Sequence, residues 1–123
     1  MKIGQYQLYS IETSEFALDG GAMFGIIPKP IWEKKAPADQ NNRISMVTRS
    51  LLLVSDNHKI IVDTGNGTKW QEKFKNIYRI ELNNMSMERS LAKYGFTPED
   101  ITDVYCTHLH FDHVGGNTKF IDG

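Results

Sequence analysis

The sequence has a single cysteine, Cys106, so no internal disulfide can form. A lone thiol fits a reducing compartment, and the expected location is the cytoplasm. Long apolar runs are missing too. Leu51–Val54 and Ile60–Val62 are the longest, far short of a membrane span. The first residues, Met1-Lys2-Ile3-Gly4-Gln5-Tyr6, lack the apolar centre of a signal peptide. Neither charge dominates. The formal net charge is −1, which leaves no electrostatic footprint for nucleic acid. Repeats, low-complexity tracts and linkers are absent, so 123 residues of ordinary composition read as one soluble globular domain.

Histidine is also scarce, but it is not scattered. Three of the four histidines fall within six positions, in Thr107-His108-Leu109-His110-Phe111-Asp112-His113. The stretch follows the apolar run Ile101–Cys106 and precedes Gly115-Gly116. In an extended segment alternate side chains share a face, so His108 and His110 point the same way and can grip one ion. Asp112 and His113 are neighbours and converge only if the chain turns sharply there. Glycines just beyond permit such a turn and a close backbone approach. Two adjacent sites result, His108 with His110 and Asp112 with His113. Imidazole and carboxylate suit zinc first, with manganese, iron or cobalt also compatible. The plainer alternative is a solvated histidine cluster.

Local patterns place these residues. Residues 3–12 read as a strand, and 13–25 as a loop or short strand with bends. Pro28, Pro30 and Pro37 argue against regular structure around Trp32. Arg43–Val54 and Lys59–Asp63 read as a hairpin across the turn Ser55-Asp56-Asn57-His58. A run apolar on both faces suggests a covered sheet. Trp70, Phe74, Ile77 and Tyr78 have helical spacing, so 69–78 is a predicted helix, with Lys69, Lys73, Lys75 and Arg79 on its solvated face. Ser86–Tyr94 is a second helix, capped by Ser86 and stopped by Gly95. Thr97-Pro98 starts one further turn before the strand Ile101–Cys106. A last helix is expected over 114–120. Cys106 is expected in the core, and His58 in an exposed turn.

Thr107-His108-Leu109-His110-Phe111-Asp112-His113-Val114-Gly115-Gly116 resembles the His-x-His-x-Asp-His signature of the metallo-beta-lactamase superfamily. Ile60-Ile61-Val62-Asp63-Thr64-Gly65 resembles the strand and turn that precede it. Asp19–Gly25 and Ile27–Trp32 resemble the N-terminal loop of the lactonase-like branch, which includes acyl-homoserine lactonases and organophosphate hydrolases. The resemblance implies a four-layer αββα sandwich, with a mixed, mostly antiparallel sheet and flanking helices. It implies that residues 1–123 are the N-terminal half of one domain. Further histidines and a bridging aspartate would then come from downstream, on a complementary C-terminal polypeptide or a second copy.

For the residues themselves the resemblance implies several roles. His108, His110, Asp112 and His113 are ligands of two divalent metal ions. Asp112 is catalytic as well, managing a proton. Asp63 supports the ligands by hydrogen bonding. Phe24 and Trp32 help wall a pocket for a small-molecule substrate, a lactone or ester. Three rival readings remain: an inactive half needing its complement, iron-based redox chemistry, and a dimeric aspartic protease built on Asp63-Thr64-Gly65.

Overall fold

A computed structural model describes residues 1–121. Five strands form one sheet in the order β1-β2-β3-β4-β5: Lys2–Ile3, Tyr6–Asp19, Arg43–Val54, Lys59–Val62 and Asp103–Tyr105. All neighbours pair antiparallel except β4 and β5, which run parallel. A parallel pair needs a long crossover, and here it carries the helices α3 (Glu72–Ile77) and α4 (Met87–Ala92). Two short helices, α1 (Gly20–Phe24) and α2 (Lys29–Trp32), follow β2. The mixed, mostly antiparallel sheet is the expected fold class. No helix among the described residues is long and apolar enough to cross a membrane.

β2 corrects the expected loop over 13–25, since pairing continues to Asp19 opposite Arg43. A bulge explains the discrepancy. The register shifts between Glu12 and Ser14, so Thr13 and Ser14 together oppose Thr48. Both are buried, at 5% and 1% exposure. The extra residue reverses the inward parity, so an alternation reading loses the strand midway.

The hairpin β3–β4 forms as predicted, closed by Ser55 N–H donating to the His58 carbonyl at 2.8 Å. Leu52 and Val54 of β3 lie on the face that α4 covers. There Ile11, Leu52 and Leu91 are fully buried and Ile61 nearly so, ringed by Tyr9, Val54, Met87, Phe96 and Ile101. The opposite face carries Leu8, Leu51, Leu53, Ile60, Val62 and Tyr105. On it Leu51 is 38% and Tyr105 60% exposed.

α4 has the predicted cap, with Ser86 Oγ accepting from the Arg89 amide at 3.1 Å. The turn after Thr97 is a short 3-10 helix, Pro98–Asp100, and Asp100 accepts from the Thr97 amide. α3 is shorter than its apolar spacing suggested and leaves Trp70 outside it. The proline-rich segment does form regular turns. Pro30 sits in the first turn of α2, where a missing N–H costs nothing. The helix expected over 114–120 is replaced by a helical turn, α5 (Phe111–Val114), and a 3-10 turn, Gly115–Asn117.

Candidate metal centre

Because β4 and β5 are parallel, their C-terminal ends lie at the same edge of the sheet. Asp63 leaves β4 in the left-handed region, φ 61°, which aspartate tolerates better than most residues. Its amide still donates to the Tyr105 carbonyl at 2.8 Å. The next residue turns away, and Thr64 N–H donates to the His113 carbonyl at 2.7 Å. The turn 63–67 is thereby sewn to the loop 107–117 rather than to β3.

Close packing makes this junction possible. A Cβ on Gly115 would lie 2.1 Å from the Asn66 carbonyl oxygen, and one on Gly116 2.3 Å from that of Thr64. Gly115 has an ordinary φ of −58°, so it is needed for the close approach, not for an unusual backbone angle. Beneath the turn lies a buried polar cluster. The Thr13 and Ser14 hydroxyls lie 2.7 and 2.9 Å from that of Thr48, and Asn66 Nδ2 donates to Ser14 Oγ at 2.9 Å.

The chain bends at 111–113 as anticipated, because α5 is one helical turn beginning at Phe111. The turn brings the two donor pairs side by side. His108 Nε2 lies 3.1 Å from His110 Nδ1, and His113 Nε2 lies 3.4 Å from Asp112 Oδ2. The rings of His108 and His113 are 3.9 Å apart. Two nitrogens bound to one tetrahedral zinc sit roughly 3.3 Å apart. Each pair therefore has the spacing of one edge of a coordination shell. The first pair is also within hydrogen-bond distance if one nitrogen carries the proton. Among the described residues no three His, Cys, Asp or Glu side chains gather so as to hold one ion. The donors fit half a shell each.

Asp63 orients this group. Its carboxylate accepts from the Thr107 amide at 2.8 Å and the Thr107 hydroxyl at 2.8 Å, and lies 2.8 Å from His113 Nδ1. Burial alone would raise its pKa. The bonds from His113 and Thr107 outweigh that and hold the carboxyl below the ordinary carboxylate range. With Nδ1–H directed at Asp63, the lone pair of His113 Nε2 is turned toward Asp112. Both Asp63 oxygens are engaged with Thr107 and His113.

Thr107 is a residue that spacing arguments missed. Its hydroxyl also lies 3.1 Å from His108 Nδ1 and 3.4 Å from His113 Nδ1. A threonine directly before the first histidine was the available signal. Cys106 corrects an expectation, for it is exposed rather than buried in the core. It lies just past the last paired residue of the edge strand β5, and Asn117 Nδ2 approaches its Sγ at 3.5 Å. His58 is exposed as expected and lies 3.1 Å from Asp103 Oδ2, well away from the motif.

Phe24 and Trp32 stack on each other at 5.0 Å, and Trp32 is 5% exposed against Gly20. They follow the Asp19 end of β2, which pairs with Arg43, whereas β4 ends opposite Leu51. The cavity beside Asp112 and His113, about 230 Å³, is bounded instead by Phe16, Met46, Thr48 and Ser50.

Similarity to known proteins agrees with this geometry. A probable metal-dependent hydrolase from Staphylococcus aureus is 36% identical with a TM-score of 0.87, over 96% of this chain and 43% of that one. AidC, a dizinc quorum-quenching lactonase in complex with a product, is 26% identical with a TM-score of 0.67, over 94% of this chain and 37% of that one. An N-acyl homoserine lactonase from a Bacillus species is 50% identical over 32 residues, 26% of this chain and 13% of that protein. The chain thus spans about two fifths of the solved relatives. Residues 46–122 match the family profile of the metallo-beta-lactamase superfamily, well over half the chain, and the chain belongs to that superfamily.

Proposed function

We propose that the chain supplies four ligands to a dinuclear metal hydrolase acting on a lactone or ester of a small molecule, of the acyl-homoserine-lactone kind. The observation that carries this is the two adjacent donor pairs, at 3.1 and 3.4 Å, where two parallel strands end. His108 and His110 would hold one ion, and Asp112 and His113 the other. Such ions, zinc first among them, lower the pKa of water and polarise a carbonyl when bound. Asp63 fixes the tautomer and direction of His113, and Thr107 braces both. Asp112, whose Oδ2 lies 3.4 Å from His113 Nε2, would also take up and return a proton. The lactonase activity of these relatives supports the substrate class.

The test is to assay the full-length protein with zinc or manganese against acyl-homoserine lactones and simple esters. Ring opening that is lost in His108→Ala and in Asp112→Asn is the expected result. No opening of any lactone or ester removes the reading.

A second reading concerns this chain alone. Two donors per ion fall below the three or four of a zinc site, so the chain would need a complementary polypeptide or a second copy to bind metal. The exposed Leu51 and Tyr105 favour such a partner on the uncovered face. Equilibrium dialysis of residues 1–123 against zinc, beside the full protein, separates the two. Full-strength binding by the chain alone would end the second reading.

A further inference from the structure

A helical turn of four residues does not hold itself together. α5 therefore depends on what grips it, and the aromatic side chains around Phe111 show the grip. Tyr78 stacks on Phe111 at 4.9 Å and 27°. Trp70 meets it edge-on at 5.4 Å and 84°, and Phe16 at 6.2 Å and 85°. Trp70 also packs edge-on against Tyr78 at 6.0 Å. Offset and edge-on pairs of this kind have preferred geometries, so a caged ring is held in orientation as well as position. Phe111 directly precedes Asp112 in α5, and seating its ring sets where Asp112 and His113 point.

Trp70 does something the other two rings do not. Its indole Nε1–H donates to the Asn66 carbonyl at 3.0 Å. Asn66 belongs to the turn 63–67, and the same carbonyl oxygen occupies the space that a side chain on Gly115 would need. Asn66 is only 2% exposed, and its side chain donates to Ser14 Oγ, which in turn bonds Thr48. Among the described residues, Phe16 and Tyr78 make no side-chain hydrogen bond to that turn. One residue therefore touches both halves of the junction: the turn that carries Asp63 and the loop that carries the candidate ligands.

We propose that Trp70 is a positioning residue, which clamps the 107–117 loop to the 63–67 turn and so keeps the two donor pairs at their spacing. Its meaning for catalysis rests on the metal-hydrolase reading, but the clamp itself can be measured without metal.

The experiment is amide hydrogen exchange on the metal-free full-length protein. It follows the amides of Thr107, His113, Val114 and Gly116, which are hydrogen-bonded within the junction. In Trp70→Leu these amides should exchange at least about tenfold faster, while those of Leu52 and Ile61 in the sheet keep their protection. Trp70→Phe keeps a ring against Phe111 but loses the indole N–H, and should give an intermediate rate. Phe111→Leu leaves the indole in place and should loosen the same four amides. Unchanged exchange of these amides in Trp70→Leu overturns the proposal. So does acceleration that spreads equally through loop and sheet, and so does a Trp70→Phe protein no better than Trp70→Leu. Cobalt titration of the wild type is run in parallel. A wild type that binds no cobalt ends the hydrolase reading but leaves a localised exchange effect, and hence the clamp, standing.

Discussion

The packed face under α4 and the junction at the strand ends are a few residues apart on the same strands, yet different forces hold them. Under α4 the contacts are apolar: Ile11, Leu52, Ile61 and Leu91 are all at or near zero exposure. That attraction is non-directional and grows with buried area. At the junction the buried groups are Thr13, Ser14, Thr48 and Asn66, joined by hydrogen bonds, with Asp63 accepting from Thr107 and bonded to His113. Each such bond adds only about 0.5–1.5 kcal/mol net, but it fixes direction. Apolar burial therefore supplies the stability, and the polar junction supplies the aim of the histidines. The two should be separable by mutation.

The largest expected effect is on the apolar side. Leu52→Ala should lower unfolding free energy by about 2–5 kcal/mol in urea titration. The folded fraction should keep its cobalt affinity within about threefold, because the site lies beyond the packed cluster. A tenfold loss of affinity would erase the distinction. Asp63→Asn should do the reverse. Metal affinity of the full protein, read by calorimetry, should fall about 10- to 100-fold. If affinity holds while stability collapses, Asp63 belongs with the core and not with the site.

Thr48→Val sharpens the boundary. It removes the hydroxyl shared by Thr13 and Ser14, but Ser14 keeps Asn66. The expected loss is about 1 kcal/mol, measured by thermal unfolding, from the one hydroxyl left orphaned. A loss as large as that of Leu52→Ala would show the polar cluster to be a stability element.

The smallest effect serves as a control from the far end of β3. Asp39 accepts from the Arg43 amide and guanidinium and from the Asn41 amide. The bond from the Arg43 amide, ahead of the others, holds its carboxyl below the ordinary range. A depressed folded pKa means the contribution is complete above about pH 4 and is lost as pH falls through the lower folded value. Asp39→Asn should flatten that acid limb of the stability curve slightly and leave metal affinity untouched. An unchanged acid limb would show that Asp39 contributes nothing there.

Legibility varied along the chain for identifiable reasons. The hairpin β3–β4, the Ser86 cap and the turn at Pro98 were readable because each rests on neighbours in sequence. β2 was cut short because the bulge at Thr13 reverses its parity. Gly115 and Gly116 were correctly marked for close approach, though what they approach, the backbone of 64–66, lies about fifty residues away along the chain. For Phe24 and Trp32 a pocket role follows only from the resemblance of their loop, and the fold shows them stacked on each other, with Trp32 against Gly20. The bonding roles of Thr107 and Trp70 are not legible in the sequence because their partners, Asp63, Asn66 and Phe111, are brought to them only by folding.

By itself the sequence determined the donor chemistry, the alternation that pairs His108 with His110, and the strand-then-glycine context of the motif. Those depend on residue type and on periodicity along a single segment. Only the tertiary structure decided which ligand Asp63 bonds, how far apart the two donor pairs sit, and that Thr107 and Trp70 reach groups across the junction. Hydrogen bonds and ring contacts between distant segments act over a few ångströms, and nothing in a linear order reveals which segments will come that close.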